Sequence, residues 1–230
     1  MKQRSSLCVL LLLVGLISLT GTVSAQTSSL VFTEANTGRR VEFTPYGTLV
    51  FQPQGLVSAG WRINYEDRTG SYSAWYFNRQ LNSDVVPVSL TANFPNGQVL
   101  NVGERLYVEA VMRTVDGKLT ITRRFSWDAG KGPINSVLTC ENISRIPVSV
   151  NNVIIFRPED PPTLPAEACP YIPPLGFASV SYSPILIGSV RYVRTVISFT
   201  AAPPLQPSQS RDVPTAGCDG QNPERPPSGS

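Results

Sequence analysis

The chain has 230 residues, among them 17 Gly, 21 Pro, 4 Cys and no histidine, and a formal net charge of +3. The missing imidazole excludes Ser-His-Asp and Cys-His nucleophiles, histidine general bases and histidine-ligated metal sites. With 15% charged and 41% apolar residues the chain is no disordered polyelectrolyte, and its length suits one large all-β domain or two small ones.

Residues 1–25 read as a secretory signal peptide. Lys2 and Arg4 form the positive n-region, Leu7 to Leu19 the apolar h-region, and Val23-Ser24-Ala25 the small-residue cleavage signature. The apolar run is shorter than the roughly 20 residues that span a bilayer, so no membrane span is expected after cleavage. Removing the signal takes away two of 19 basic residues and none of 16 acidic ones, leaving 17 − 16 = +1. The basic balance therefore belongs to targeting, and no nucleic-acid partner is expected. The expected location is extracellular or periplasmic.

Between about Ser28 and Arg157 the sequence alternates strand and turn with no helical period. The strand-like runs are Ser29–Thr33, Arg39–Thr44, Thr48–Gln52, Gly60–Tyr65, Tyr72–Asn78, Val85–Ala92, Arg105–Val115, Lys118–Trp127, Ile134–Asn142 and Ile146–Phe156. Turn chemistry separates most of them, at Asn36-Thr37-Gly38, Pro45-Tyr46-Gly47, Pro95-Asn96-Gly97 and Gly130-Lys131-Gly132-Pro133. The Asp116-Gly117 pair predicts a type I′ hairpin in which paired residue numbers sum to 233. That register puts Leu106, Val108, Ala110, Met112 and Thr114 on a buried face against Trp127, Phe125, Arg123, Ile121 and Leu119. On the opposite face Glu109 lies across from Arg124, a cross-strand charge pair.

Seven prolines between residues 157 and 176 rule out a ladder strand and predict a long, semi-rigid crossover loop. Phe177–Ser183 and Ile185–Thr200 return to strand patterns. Residues 202–230, rich in Pro, Ser, Gln and Gly, read as a disordered tail. Residues 26–201 thus form the predicted domain, an antiparallel β-sandwich, with a β-barrel as the alternative.

Three cysteines survive signal cleavage, which allows one disulfide and one free thiol in an oxidising compartment. The pairing is not fixed by sequence. Cys169 with Cys218 is the expectation, because both lie in irregular Pro-rich chain, and Cys140, in a strand pattern, is then a buried free thiol. Their spacing suggests no zinc site, and no metal or other cofactor is expected.

The stretch Lys118-Leu-Thr-Ile-Thr-Arg-Arg-Phe-Ser-Trp127, followed by Ile134-Asn-Ser-Val-Leu-Thr-Cys-Glu-Asn-Ile-Ser144 and Pro147-Val-Ser-Val150, resembles galactose-mutarotase-like sandwich domains. In those an "x-I-x-R-x-F" strand precedes one ending in "N-x-S" and then "P-V-x-V". It is also similar to immunoglobulin-like modules of bacterial surface proteins, through the "N-x-S…V-x-V" hairpin. The resemblance covers residues 118–150 and implies a sandwich and a carbohydrate connection. The mutarotase family's catalytic histidines have no counterpart here, so no site residue carries over.

The aromatic segment from Trp61 to Phe77 is the richest patch for ligand binding. Sugars are held by aromatic rings under their C–H faces, with Arg, Asn and carboxylates taking the hydroxyls. Trp61, Ile63 and Tyr65 share one strand face, Arg62, Asn64 and Glu66 the other. Trp75 and Tyr76 point oppositely on the return strand, so one aromatic set must lie outside the core; the alternative is that all of them are ordinary core and cross-strand aromatics. Arg123 would enter an apolar face, where it needs a carboxylate, an escape to an edge, or a ligand pocket. The candidate ligand residues are therefore Trp61, Arg62, Tyr65, Trp75, Tyr76 and Arg123. Asn142-Ile143-Ser144 fits an N-glycosylation acceptor. The expected function is a secreted, non-catalytic sandwich that binds carbohydrate or another extracellular protein. The alternatives are a structural or assembly component of a cell surface and, less favoured, a carboxylate-dependent carbohydrate-active enzyme.

Overall fold

The computed structural model describes residues 28–52, 55–58, 60–77, 84–158, 179–187, 190–199 and 202–215. The signal peptide, Cys169, Cys218, residues 159–176 of the Pro-rich loop and residues 216–230 of the tail lie outside the described residues.

Among the described residues fifteen strands follow one another in chain order, and there is no helix. They are β1 (Leu30–Glu34), β2 (Arg40–Phe43), β3 (Leu49–Gln52), β4 (Gly55–Ser58), β5 (Gly60–Asp67), β6 (Gly70–Phe77), β7 (Val85–Ala92), β8 (Val99–Leu100), β9 (Arg105–Thr114), β10 (Leu119–Asp128), β11 (Lys131–Asn142), β12 (Ser149–Pro158), β13 (Ser179–Ile187), β14 (Val190–Ser198) and β15 (Ser210–Thr215). They form three open sheets, ordered β4-β3-β2-β1-β8, β15-β11-β10-β9-β7 and β13-β14-β12-β5-β6. All pairings are antiparallel except the short β1–β8 contact. The fold is an all-β, antiparallel sandwich, and no sheet closes into a barrel.

The second sheet is the central layer. Its long strands, each of ten or more residues in β9, β10 and β11, extend about 33 Å at the usual rise. One face of that length is more than a single neighbour covers. Leu106, Val108, Phe125, Trp127 and Ile134 pack on Phe32, Val41, Phe43 and Leu49 of the first sheet. Ala110, Met112, Leu119, Ile121, Leu138 and Cys140 pack instead on Trp61, Ile63, Tyr65, Val153 and Ile197 of the third. The alternation predicted for the β9–β10 hairpin holds at every position, for all ten inward residues are at most 3% exposed. The register also holds: Arg113 pairs with Thr120, Ala110 with Arg123, and Glu109 with Arg124.

The turn differs from type I′. Only Gly117 has positive φ, at 70°, and its N–H donates to the Thr114 carbonyl at 2.9 Å. Val115 and Asp116 thus occupy the central positions of a type I-like turn with a left-handed glycine behind them. The Thr114 hydroxyl oxygen accepts from the N–H groups of Lys118 (3.1 Å) and Leu119 (3.0 Å), which closes the wider loop without shifting the register.

Three boundaries also depart from expectation. Gly132 and Pro133 belong to β11; the turn is Ala129-Gly130, and the ladder irregularity between Ser126 and Asp128 absorbs the proline. β13 runs through Pro184, which an edge strand tolerates because one row of its N–H groups needs no partner. Residues 202–215, expected in a disordered tail, contribute Leu205, bridged to Val148, and β15 on the edge of β11. Only two apolar anchors are needed there, Leu205 (4% exposed) and Val213 (1%), because β11 supplies a ready ladder.

The β2–β3 turn is wedged where the three sheets meet. Thr44 and Thr48 are buried, and their hydroxyls are bonded to each other at 2.7 Å. The Tyr46 carbonyl accepts from the Trp61 indole N–H at 2.8 Å, and the Tyr46 ring stacks on Tyr76 at 4.2 Å. The Gly47 carbonyl accepts from the Arg123 guanidinium at 2.7 Å. Gly47 has φ of 65°, and a Cβ there would stand 3.0 Å from the Arg123 Cβ.

At one end of the sandwich the β5–β6 and β9–β10 turns are tied together. The Tyr65 hydroxyl donates to Asp116 at 2.7 Å, and burial with that bond raises its pKa. The Lys118 ammonium pairs with Asp67 at 2.7 Å and sits 3.3 Å from the Tyr72 ring centroid. The Lys118 ammonium, helped by Thr69, holds the Asp67 carboxyl at about 2 rather than its ordinary 3.8.

Two predictions follow from these contacts. Gly47→Ala should destabilise by about 3 kcal/mol, from left-handed strain plus overpacking on Arg123, whereas Gly117→Ala should lose only about 1 kcal/mol. No atom lies within 4 Å of the Cβ that Gly117 would gain, so urea midpoints of the two variants isolate the packing component. For the Asp67 clasp, a depressed folded pKa means its contribution is complete above about pH 4 and fades as pH falls through about 2. Carboxyl NMR titration should find Asp67 near 2 in the native protein and shifted upward in Lys118→Met, still below 3.8 because the Thr69 hydrogen bonds remain; an unchanged midpoint would remove Lys118 as the cause.

Candidate functional site

The β5–β6 hairpin sorts its aromatic residues by strand parity. Trp61 pairs with Tyr76, Arg62 with Trp75, Ile63 with Ala74 and Tyr65 with Tyr72. The pairs that include Trp61, Ile63 and Tyr65 face the central sheet. Trp61 is 0% exposed, Tyr65 2% and Tyr76 3%, so protein covers their ring faces. Each also has an internal partner: Trp61 the Tyr46 carbonyl, Tyr65 the Asp116 carboxylate, Tyr76 the Tyr46 ring. These three rings build the core and are not available for stacking under a sugar.

Arg62 and Trp75 point the other way, onto the outer face of the third sheet. Arg62 is exposed, and its Nε donates to Asn64 Oδ1 at 2.9 Å. Asn64 in turn donates to Asn152 Oδ1 at 2.7 Å, so a side-chain chain fixes the guanidinium over two strands. Trp75 is half-buried and packs near Phe77, whose ring meets Phe156 edge-on at 5.4 Å. An indole, a held guanidinium and two amides thus share one outer surface.

Arg123 is fully buried and enters the inner face opposite Ala110, as its register requires. Its guanidinium stays inside the core and does not escape to the edge. It donates to the Gly47 carbonyl at 2.7 Å and to the Ser136 hydroxyl at 3.3 Å, with the Phe125 ring centroid 5.0 Å away. Burial pushes its pKa down to about 9, which leaves it charged at neutral pH. It is a structural cation at the sheet junction.

Cys140 is buried and unbridged, and burial pushes its thiol up to about 12, far from a reactive thiolate. Asn142 is also fully buried. Its Nδ2 donates to the Ile146 and Leu205 carbonyls, both at 2.8 Å, and its Oδ1 accepts from the Ser144 N–H and hydroxyl. Both amide hydrogens that an N-glycan would compete with are committed, so this tripeptide works as a structural turn. Among the described residues, no group of three or more Cys, Asp or Glu side chains is placed to hold a metal ion. No helix among them is long and apolar enough to cross a membrane.

The outer face of the central sheet holds a surface that the aromatic pattern alone did not single out. Tyr107 is 50% exposed there, between Arg105 and Glu109 of the same strand. The signal was present in the alternation, since Tyr107 falls on the solvated face of the hairpin, but a lone tyrosine in a long strand has no sequence neighbour to mark it.

The class these features define is an all-β antiparallel sandwich whose inner faces are spent on packing and whose outer faces carry the accessible aromatic and polar groups. No family model, no curated protein and no solved structure matches the chain.

Replacing the buried amide tests its structural role. Asn142→Ala leaves the Leu205 and Ile146 carbonyls without their donor and should lower stability by about 2 kcal/mol. Amide exchange should accelerate first at Leu205 and along β15; protection unchanged there would contradict the assignment.

Proposed function

We propose that the protein is an exported, non-catalytic β-sandwich module that binds carbohydrate, or another protein, on the cell exterior. One observation carries the reading. Trp75 lies directly across from Arg62 on the solvent side of the β5–β6 hairpin, and Asn64 holds that guanidinium in place. A partly exposed indole supplies the C–H-stacking surface, and the oriented Arg and Asn supply donors and an acceptor for hydroxyls.

The non-catalytic part of the reading is supported by six of the eleven described carboxylates, which are already engaged inside the protein. Glu34 binds Arg39, Asp67 Lys118, Glu109 Arg124 and Asp128 Arg105. Asp116 accepts from Tyr65, and Asp212 from Thr139. A glycosidase needs one carboxyl held protonated opposite a free carboxylate, and these six are engaged as acceptors or ion-pair partners. A second reading, an assembly component of a cell surface, is favoured by the exposed valines Val86 (55%) and Val88 (45%) of edge strand β7 and by Val115 (68%) beside it.

Retention of purified protein on a panel of insoluble polysaccharides tests the choice. The proposal expects retention by at least one of them, and a loss of about 10-fold in affinity for Trp75→Ala. Equal retention of Trp75→Ala contradicts the site. No retention at all, with self-association that Val86→Lys abolishes, moves the protein to the assembly reading.

A further inference from the structure

A depression of about 310 Å³ opens on the outer face of the central sheet, away from the Trp75 surface, and Thr91, Asn93, Tyr107, Glu109 and Arg124 line it. Tyr107 is its aromatic member, half its surface in solvent. Its backbone is held unusually firmly for an exposed residue. Asn93 Oδ1 accepts from the Tyr107 N–H at 2.7 Å, the Asn93 N–H donates to the Tyr107 carbonyl at 3.2 Å, and Asn93 Nδ2 donates to the Arg105 carbonyl at 2.9 Å. The asparagine follows the end of β7, so it continues the ladder with its side chain and fixes where the ring stands.

The charges around the ring are paired internally. Arg124 Nε pairs with Glu109 at 2.8 Å, Arg105 Nε with Asp128 at 3.0 Å, and the Arg105 guanidinium lies 5.9 Å from the Tyr107 ring centroid. Arg124 is steadied further by Thr139, which its Nη1 reaches at 3.1 Å, and Thr139 donates to Asp212 at 2.6 Å. Two cations stand against three carboxylates, Asp212 included, so the surface offers no net positive charge for an anionic ligand. It does offer a π-face with donors and acceptors at its margin, since an ion-paired carboxylate and guanidinium each keep further hydrogen-bonding positions.

We infer that this depression is a subsite for a neutral pyranose. Tyr107 meets the C–H face of the ring, and Glu109, Arg124 and the Thr91 hydroxyl take its hydroxyl groups; Asn93 is a positioning residue. The inference shares only its ligand class with the Trp75 proposal. The two surfaces lie on different sheets and stand or fall separately.

The test is amide NMR of the ¹⁵N-labelled protein titrated with three neutral hexasaccharides (β-1,4-glucan, β-1,3-glucan and α-mannan) and with oligogalacturonate as the anionic counterpart. The expected result is saturable shifts at Thr91, Tyr107, Glu109 and Arg124 with at least one neutral oligomer, unaffected by Trp75→Ala. Tyr107→Ala should weaken that binding at least 10-fold, and Glu109→Gln should weaken it while leaving the rest of the spectrum native. Absence of shifts at these residues with every neutral oligomer, preferential response to oligogalacturonate, or undiminished binding by both Tyr107→Ala and Glu109→Gln would overturn the inference. Undiminished retention of Trp75→Ala on polysaccharide, with the shifts at these four residues intact, would count against the Trp75 site alone.

Discussion

Everything in this fold turns on a guanidinium buried where three sheets converge. The inner face of the central sheet is too long for one covering sheet, so two neighbours share it, and their boundary falls beside Arg123. A gap at such a seam would leave backbone polar groups of the β2–β3 turn inside the core without partners. Arg123 fills it with a charged donor to Gly47, while the adjoining Tyr46 carbonyl receives the Trp61 indole. The central sheet, the first sheet and the third are thereby linked through one four-residue span of chain, Thr44 to Gly47. Burying that charge is unfavourable in itself, since desolvation drives the guanidinium toward its neutral form. The return is a seam with a single geometry, and removing the cation would leave both a cavity and an orphaned carbonyl.

The same division of surfaces decides which side chains stay accessible. Parity along β5 and β6 sends Trp61, Tyr65 and Tyr76 inward, and the two-layer architecture closes over them. The accessible aromatic and polar groups are left on the outer faces, where Trp75 with Arg62 and Tyr107 with Glu109 and Arg124 occupy separate sheets.

Much of the central hairpin was legible in the residues because three signals agreed there: an Asp-Gly turn, strict alternation, and opposite charges at Glu109 and Arg124. The register followed from the alternation, and it held even though Thr114 closes a different turn from the one Asp-Gly suggests. Arg123 was legible as an anomaly, but its solution was not, since Gly47 is 76 residues away in the chain. β15 was hidden for a related reason. Its order comes from the free edge of β11 and from Asn142, whereas its own composition carries few apolar anchors. The candidate binding surfaces were half-visible: alternation split the Trp61–Phe77 segment into two faces, and only packing decided which face was inward.

Native-state amide and indole hydrogen exchange on Arg123→Ala tests the seam most directly. Loss of the cation should accelerate exchange of the Trp61 indole N–H, the Gly47 amide and the Thr48 amide together, because the turn that holds all three has lost its anchor. Faster exchange confined to β10 and its ladder partners, with the Trp61 indole as protected as before, would contradict the claim that Arg123 holds the three sheets at one point.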